Sequence, residues 1–555
     1  MITLPNECYY IIFNNLRHNY KNLFSCALVN RQWCRITIPI LWSEPGHNFK
    51  DKRLIRTILL TLNAEEQALL IPFNICLPSH PKPLFEYASY ITSVTNDLCY
   101  GIGSWLPYGD NKNWLSCERL YIRRNLENII KCSLIAMFLR ASKNLKYLYL
   151  DEIICNQVIF ENLYKNTTVT SVDLYLTYSI SDDFKSKAID GLVKILDKNS
   201  TLTSLNLKSI QLGTKGMKTL LDALYKNTAL NSLGLYDYRI CDEEEKMLAK
   251  FLCKNTTLTF LNLCGSDAGW SRYGYIGPKG GKALADALCM NSTLKDLKLR
   301  HNNFRSEVGQ ALADALYKNT TLTSLDLGHN YIGSEGGKAF ANALCKNTSL
   351  KDLNLQCNEL GSDGGKALAD ALCKNNTLTS LDISYNELGS EAGKVLANAL
   401  CKNTILTSLN LSCNNLGSEG GKSLADALCK NNSLKDLNLQ SNEIGSKGGK
   451  ALADALCKNN TLTSLDISDN FLGSEVGKAL ADSLFKNTTL NFLNLSWNNL
   501  GSEGGEALAN ALCKNNTLTF LNLQSNNTGH SRYSDLSIYN SLYYNELSIY
   551  ESLSL

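Results

Sequence analysis

Six histidines and twenty cysteines are the side chains of this chain best suited to bind a metal or attack a substrate. His301 and His329 stand 28 residues apart, and Cys357 follows at the same interval. If each interval brings in one new strand of a sheet, the three side chains line up about 4.8 Å apart. A metal site wants further ligands, and none accompanies them in the sequence. No Ser-His-Asp set, Cys-His pair or C-x-x-C motif stands out. Cys289, Cys345, Cys373, Cys401, Cys429, Cys457 and Cys513 share one position of the same period, which Tyr317 and Phe485 occupy elsewhere. A position that accepts Cys, Tyr or Phe reads as a packing site, so buried free thiols in a reducing compartment are expected. The expectation is a chain with no catalytic residue, no metal site and no cofactor.

The interval belongs to a repeat. Leu294, Leu322, Leu350, Leu378, Leu406, Leu434, Leu462, Leu490 and Leu518 each open the phrase L-x-x-L-x-[LI]-x-x-N, at a constant spacing of 28 residues. A fixed period of this length marks a solenoid. In LTSLDLGHN (322–330), Leu325 and Leu327 alternate with polar residues, as on a strand with one apolar face. The amide of Asn330 can satisfy the turning backbone, and stacked copies predict a hydrogen-bonded ladder. Gly333-Ser334 reads as a turn and helix N-cap. EGGKAFANALCK then places Ala339, Phe340, Ala343 and Leu344 on one helical stripe. Asn347 is expected to leave that helix in a left-handed conformation. Such a unit buries its leucines only against its neighbours.

These residues resemble the ribonuclease-inhibitor-like leucine-rich repeats, in the Leu-x-x-Leu-x-Leu-x-x-Asn strand, the following Leu/Ile-Gly and the A-L-A-x-A-L helix. The resemblance implies an α/β fold: a horseshoe with a parallel inner sheet, outer helices and a small all-α domain in front. Repeats are expected over 116–527. Less regular copies begin at CERLYIRRN (117–125), then LKYLYL (145–150), VTSVDL (169–174), LTSLNL (202–207), LNSLGL (230–235) and LTFLNL (258–263). Residues 350–433 and 434–517 match as three-unit blocks. Residues 528–555 lose the repeat and are expected to cap the solenoid; DLSIYNSL and ELSIYESL each read as an amphipathic turn.

The 555 residues carry a net charge of +3 and no basic stripe, so nothing favours nucleic acid. No apolar run reaches the roughly 18 residues of a membrane span. MITLPNECYY lacks the basic-then-apolar order of a signal peptide. The recurring N-x-[ST] triplets then read as helix-end Asn followed by strand entry. A cytoplasmic or nuclear setting is expected.

Residues 1–45 differ in kind. Ile11, Ile12 and Leu16 mark a first helix after Leu4-Pro5. A second stretch carries Leu23, Cys26, Ala27, Val29, Trp33 and Ile36 and is expected to end at Pro39-Ile-Leu41-Trp42. About 45 residues are marginal alone and should lean on a partner or on the first repeats. They resemble an F-box in Leu4-Pro5, Glu7, the aliphatic run to Leu16, Leu28-Val29-Asn30-Arg31-x-Trp33 and Pro39-x-Leu41-Trp42. Cys8 and Tyr9 depart from the aliphatics usual there. The resemblance implies docking to a Skp-type adaptor, and through it a cullin, with Leu4, Pro5, Leu16, Val29, Trp33, Leu41 and Trp42 shared between contact surface and core. Residues 46–115 are transitional, with a helix over Leu54–Leu70, a loop marked by Pro72, Pro78, Pro81 and Pro83, and a strand-like YITSVTND (90–97).

The favoured function is therefore the substrate-recognition subunit of a Skp/cullin/F-box ubiquitin ligase, with a protein substrate on the repeats. Its expected contacts are bulky side chains that depart from the repeat: Tyr385 and Trp497 near strand ends, Phe492 on the inner sheet, and Trp270, Arg272 and Tyr273 in the inserted AGWSRYGY (268–275). The alternatives are a GTPase-activating protein acting through Arg272, and a scaffold without a ligase role.

Overall fold

The computed structural model describes residues 4–527, except 18, 74, 76, 78–82, 84, 107–116, 152–156, 177–181, 210–211, 237–239 and 266–275, together with short strands at 537–539 and 549–550. The chain divides into two compact units, Met1–Tyr238 and Arg239–Leu555.

The first unit opens with α1 (Asn6–Asn15), α2 (Tyr20–Ala27) and α3 (Arg31–Ser43). The sequence suggests one helical stretch from Leu23 to Ile36, but the chain makes two helices. Asn30 divides them, because its side chain accepts from Trp33 N at 2.9 Å and caps α3. Helix α3 does not stop at Pro39 but continues through it to Ser43. Ile40 and Leu41, which pack on the bundle core, and Trp42, stacked 4.1 Å from Tyr87, hold the last turn in place. That core is Phe13, Leu23 and Ile40, with Tyr9, Leu16, Cys26, Trp33, Ile36 and Leu41 around it. The bundle leans on the first repeat as expected: Ser43 O accepts from both Thr92 N (2.7 Å) and Thr92 Oγ1 (2.8 Å).

Next come α4 (Lys52–Leu59) and α5 (Ala64–Ala68). The single helix expected over Leu54–Leu70 is broken by a capping box between Asn63 and Glu66. YITSVTND supplies β1 (Ser93–Val94), followed by α6 (Asp97–Trp105). CERLYIRRN is not a strand: it begins α7 (Cys117–Ala141). Its Leu-x-Ile alternation is too short to outweigh an uninterrupted run of good helix formers, and Arg123 pairs with Glu127 one turn on. The unit then alternates β2 (Tyr147–Leu150), α8 (Gln157–Lys165), β3 (Ser171–Tyr175), α9 (Asp182–Lys198), β4 (Ser204–Lys208), α10 (Gly213–Lys226) and β5 (Ser232–Tyr236). Strands β1 to β5 pair in parallel, in chain order.

The second unit continues with α11 (Asp242–Lys254), β6 (Phe260–Asn262), α12 (Pro278–Met290), β7 (Asp296–Lys298), α13 (Ser306–Lys318), β8 (Ser324–Asp326) and α14 (Gly333–Leu344). Then follow β9 (Asp352–Asn354), α15 (Gly361–Leu372), β10 (Ser380–Asp382), α16 (Gly389–Leu400), β11 (Ser408–Asn410) and α17 (Gly417–Leu428). The regular repeats close with β12 (Asp436–Asn438), α18 (Gly445–Leu456), β13 (Ser464–Asp466), α19 (Ser474–Leu484), β14 (Phe492–Asn494), α20 (Gly501–Leu512) and β15 (Phe520–Asn522). The parallel register never slips: Leu353 faces Leu381, Leu381 faces Leu409, Leu409 faces Leu437. Each such leucine is at most 1% exposed, so every repeat finishes its core on the next.

Four local expectations are corrected. Asn347 has no left-handed backbone. Instead its Nδ2 donates to Leu316 O and Asn319 O, while its Oδ1 accepts from Ser349 N and Leu350 N. Ser334 does not cap α14; Gly333 N donates to Asn358 O of the following repeat. The cysteine column is half-buried to exposed rather than buried, with Cys373, Cys401 and Cys513 exposed, because it falls at the helix end beyond the apolar stripe. At the described positions of the C-terminal segment the chain is extended rather than turned: β16 (Ser537–Tyr539) adds antiparallel to β15, and β17 (Ile549–Tyr550) to β16.

Candidate interaction surfaces

In the N-terminal bundle the structure sorts the predicted residues. Leu16, Trp33 and Leu41 pack on the core, and Trp42 is held against Tyr87. Leu4, Pro5 and Val29 are exposed. Exposed with them are Tyr10, Ile11 and Ile12 on α1 and Phe24 and Leu28 on or just after α2, with Leu28 71% and Ile11 62% exposed. The sequence reads Ile11 and Ile12 only as positions of the first helix. Their departure from the inward stripe was the available signal.

The repeats build their second surface on a column of asparagines. Asn358 is fully buried. Its Nδ2 donates to Leu327 O (2.9 Å) and Gln356 O (3.1 Å), and its Oδ1 accepts from Asn330 N (3.1 Å) and Ile332 N (3.2 Å). Asn386 repeats the pattern one unit on, so the expected ladder exists. The chain must bend sharply on either side of each rung. The residue before it and the residue after it both take positive φ, for example Cys357 and Glu359 at 53° and 56°, or Trp497 and Asn499 at 60° and 54°. That geometry turns these two side chains outward along a rim. Tyr385 and Trp497 stand there, 52% and 63% exposed. Tyr331 and Phe471, which the repeat pattern does not single out, occupy the second column and are as exposed. Phe492 lies on the sheet face and stacks on Phe520 at 4.4 Å. Trp270, Arg272 and Tyr273 lie outside the described residues.

The chemistry-capable residues are mostly spoken for. His301 and His329 stack at 4.3 Å, as their spacing predicts. Among the described residues no group of three or more His, Cys, Asp or Glu is placed to hold a metal. Burial pushes the Cys264 thiol up to about 11, and burial followed by the nearby Glu359 raises Cys357; neither is a ready thiolate. In the first unit burial opposes the charge on Lys131, but the Asp151 carboxylate it contacts holds the ammonium above its ordinary value. The adjoining Cys99 thiol is raised by its burial. The polar row on the second unit's sheet is self-satisfied: Asp382 Oδ1 accepts from Ser384 N, and its Oδ2 from Asn410 Nδ2 at 3.0 Å. The first unit's sheet also carries a tyrosine group. Tyr147 donates to Asp173 at 2.9 Å, Asn206 donates to the same carboxylate, and Lys208 lies 5.4 Å from the Tyr236 ring centre. Tyr at alternate positions of LKYLYL was the signal.

Parallel strands in 28-residue register, joined by helices and a buried asparagine ladder, define a leucine-rich-repeat protein. The leucine-rich repeat family model matches residues 198–221, 374–397, 402–425, 430–453, 458–481 and 486–509. The TMOD/LMOD leucine-rich domain model matches 279–385. Among solved structures, the chain is similar to leiomodin-1 actin-binding site 2, with 25% identity, a TM-score of 0.24 and coverage of 29% of this chain and 87% of that one. It is also similar to the Rad7–Elc1 complex of yeast, with 16% identity, a TM-score of 0.40 and coverage of 75% and 95%. No curated protein matches. Among the described residues no helix is long and apolar enough to cross a membrane.

Proposed function

We propose that the chain is the non-catalytic substrate-recognition subunit of a Skp/cullin/F-box ubiquitin ligase. Its bundle docks on a Skp-type adaptor, and its repeats hold a protein substrate. The observation that carries this reading is the exposed apolar set Leu4, Tyr10, Ile11, Ile12, Phe24, Leu28 and Val29. A three-helix bundle with so small a core gains nothing by leaving these side chains in water, whereas a docking surface uses them. Leu16, Trp33, Leu41 and Trp42 serve from inside, holding the helices that present them. On the repeats, Tyr385, Phe492 and Trp497 are the substrate contacts, joined by Trp270, Arg272 and Tyr273 of the inserted segment. Catalysis by proximity needs no reactive group on this chain.

The test compares capture of a purified Skp-type adaptor by the full chain and by an Ile11→Asp/Leu28→Asp variant. Both positions are exposed, so the fold should stand, as far-ultraviolet circular dichroism would verify. Loss of one buried anchor commonly costs about 2 kcal/mol, roughly thirtyfold in affinity. Equal capture by parent and variant would exclude this surface as the docking site.

A further inference from the structure

The rim flanking the asparagine ladder carries side chains that the scaffold itself does not need. Both flanking positions have φ near +55° in each regular repeat, a conformation that costs most L-residues roughly 1–2 kcal/mol and that Asn or Gly takes more readily. Asn303, Asn415, Asn499 and Asn527 occupy the second column where the scaffold alone decides. Yet Tyr331 and Phe471 stand in that column, and Tyr385 and Trp497 in the first, all more than half exposed. Each carries two penalties at once, a strained backbone and a large apolar surface in water.

Between these rings stand Glu359, Glu387, Glu443 and Asp469, all exposed. No Lys or Arg occurs in either column from His329 to Asn499. The helix-start acids nearby are neutralised, as Glu335 by Lys338, Glu391 by Lys394, and Glu475 and Glu503 by Lys478. Among the described residues Glu359, Glu387 and Glu443 make no ion pair.

We propose that this rim binds an extended, arginine-rich segment of a protein partner. Guanidinium groups stack on exposed aromatic faces and pair with carboxylates, and the rim offers the two in alternation. From Tyr331 to Trp497 is about six repeats, or roughly 29 Å. An extended segment of about nine residues covers that length. The acidity of the rim repels nucleic acid and selects against acidic peptides. This inference deepens the reading of the repeats as the substrate-binding part, and it is independent of the bundle's adaptor.

The experiment uses the full chain and labelled peptides of about twelve residues, long enough to span the rim, alternating Ser with Arg, Lys or Glu, with binding read by fluorescence anisotropy. The Arg peptide should bind, the Lys peptide more weakly, and the Glu peptide not at all. Two triple variants follow: Glu359→Gln/Glu387→Gln/Glu443→Gln, and Tyr331→Asn/Phe471→Asn/Trp497→Asn. Gln strains this backbone no more than the Glu it replaces, Asn takes it readily, and thermal melting would verify the fold. Each triple should weaken the Arg peptide by at least about tenfold. Failure of the parent to prefer the Arg peptide, or undiminished binding by either triple, overturns the proposal. Ile11→Asp/Leu28→Asp should leave peptide binding unchanged while abolishing adaptor capture, so the two readings fail separately.

Discussion

Asn358 uses one amide to hold three segments of chain. It accepts from Asn330 N and Ile332 N of the preceding unit and donates to Leu327 O of that unit and Gln356 O of its own. Alanine there would leave buried backbone groups without partners, and Asn358→Ala is expected to lower stability by about 1–3 kcal/mol. Immediately after the Asn442 rung, Glu443 has φ +57° and an exposed side chain. Glu443→Gly relieves the left-handed backbone, offset by glycine's freedom in the unfolded chain, and should raise stability by up to about 1 kcal/mol. Denaturant midpoints of the two variants should therefore move in opposite directions; movement the same way would show that the ladder, not the flanking φ, bears the strain. The ladder was legible in the sequence because one residue type holds its column throughout. The flanking φ was not, because Trp497 and Tyr385 hide a conformation that glycine would have advertised. The exposure of the cysteine column was not legible for a related reason: a period gives position around a helix, not depth.

At the scale of elements, α3 continues where a proline should end it. Pro39 cannot donate to the carbonyl of Arg35, and its ring disfavours helix just before it. The helix persists because Ile40, Leu41 and Trp42 are held by packing and Ser43 O is tied to Thr92. Pro39→Ala restores the donor without disturbing those contacts. Amide exchange over residues 36–43 should slow by about tenfold or more, equivalent to roughly 1.4 kcal/mol or more. Faster exchange would mean that the pyrrolidine ring itself supplies packing that outweighs the missing bond. Elements with many residues in one pattern were legible, as for α14 and β8. Those decided by a single cap or by neighbours were not. Asn30 and Asn63 each split one apparent helix into two, and Ser93-Val94 became the first strand because β2 accepts it, while the better-looking CERLYIRRN became α7.

At the scale of the molecule, the regular repeats behave as interchangeable units, and that has a consequence for deletion. Ser380 faces Ser408 and Ser408 faces Asp436, with Leu381, Leu409 and Leu437 in the same register. Asn386 N donates to Asn414 Oδ1, and Asn414 N to Asn442 Oδ1. Removing residues 406–433, one whole period, joins Ile405 to Leu434 and brings Asn386 to Asn442 with every rung, leucine and helix cap in place. Nearest-neighbour energetics then predict a chain that still melts cooperatively and loses about one repeat's share of stability. Removing residues 406–432 instead leaves one residue too many at the junction. The excess puts apolar side chains on the open face and takes the asparagine off the ladder, since a strand's faces alternate with a period of two. The shorter deletion should thus be the more damaging, with a lower melting midpoint and earlier protease cleavage near the junction. If both deletions melted alike, the repeats would be coupled through their helices alone, and the register of the sheet would contribute nothing to the fold.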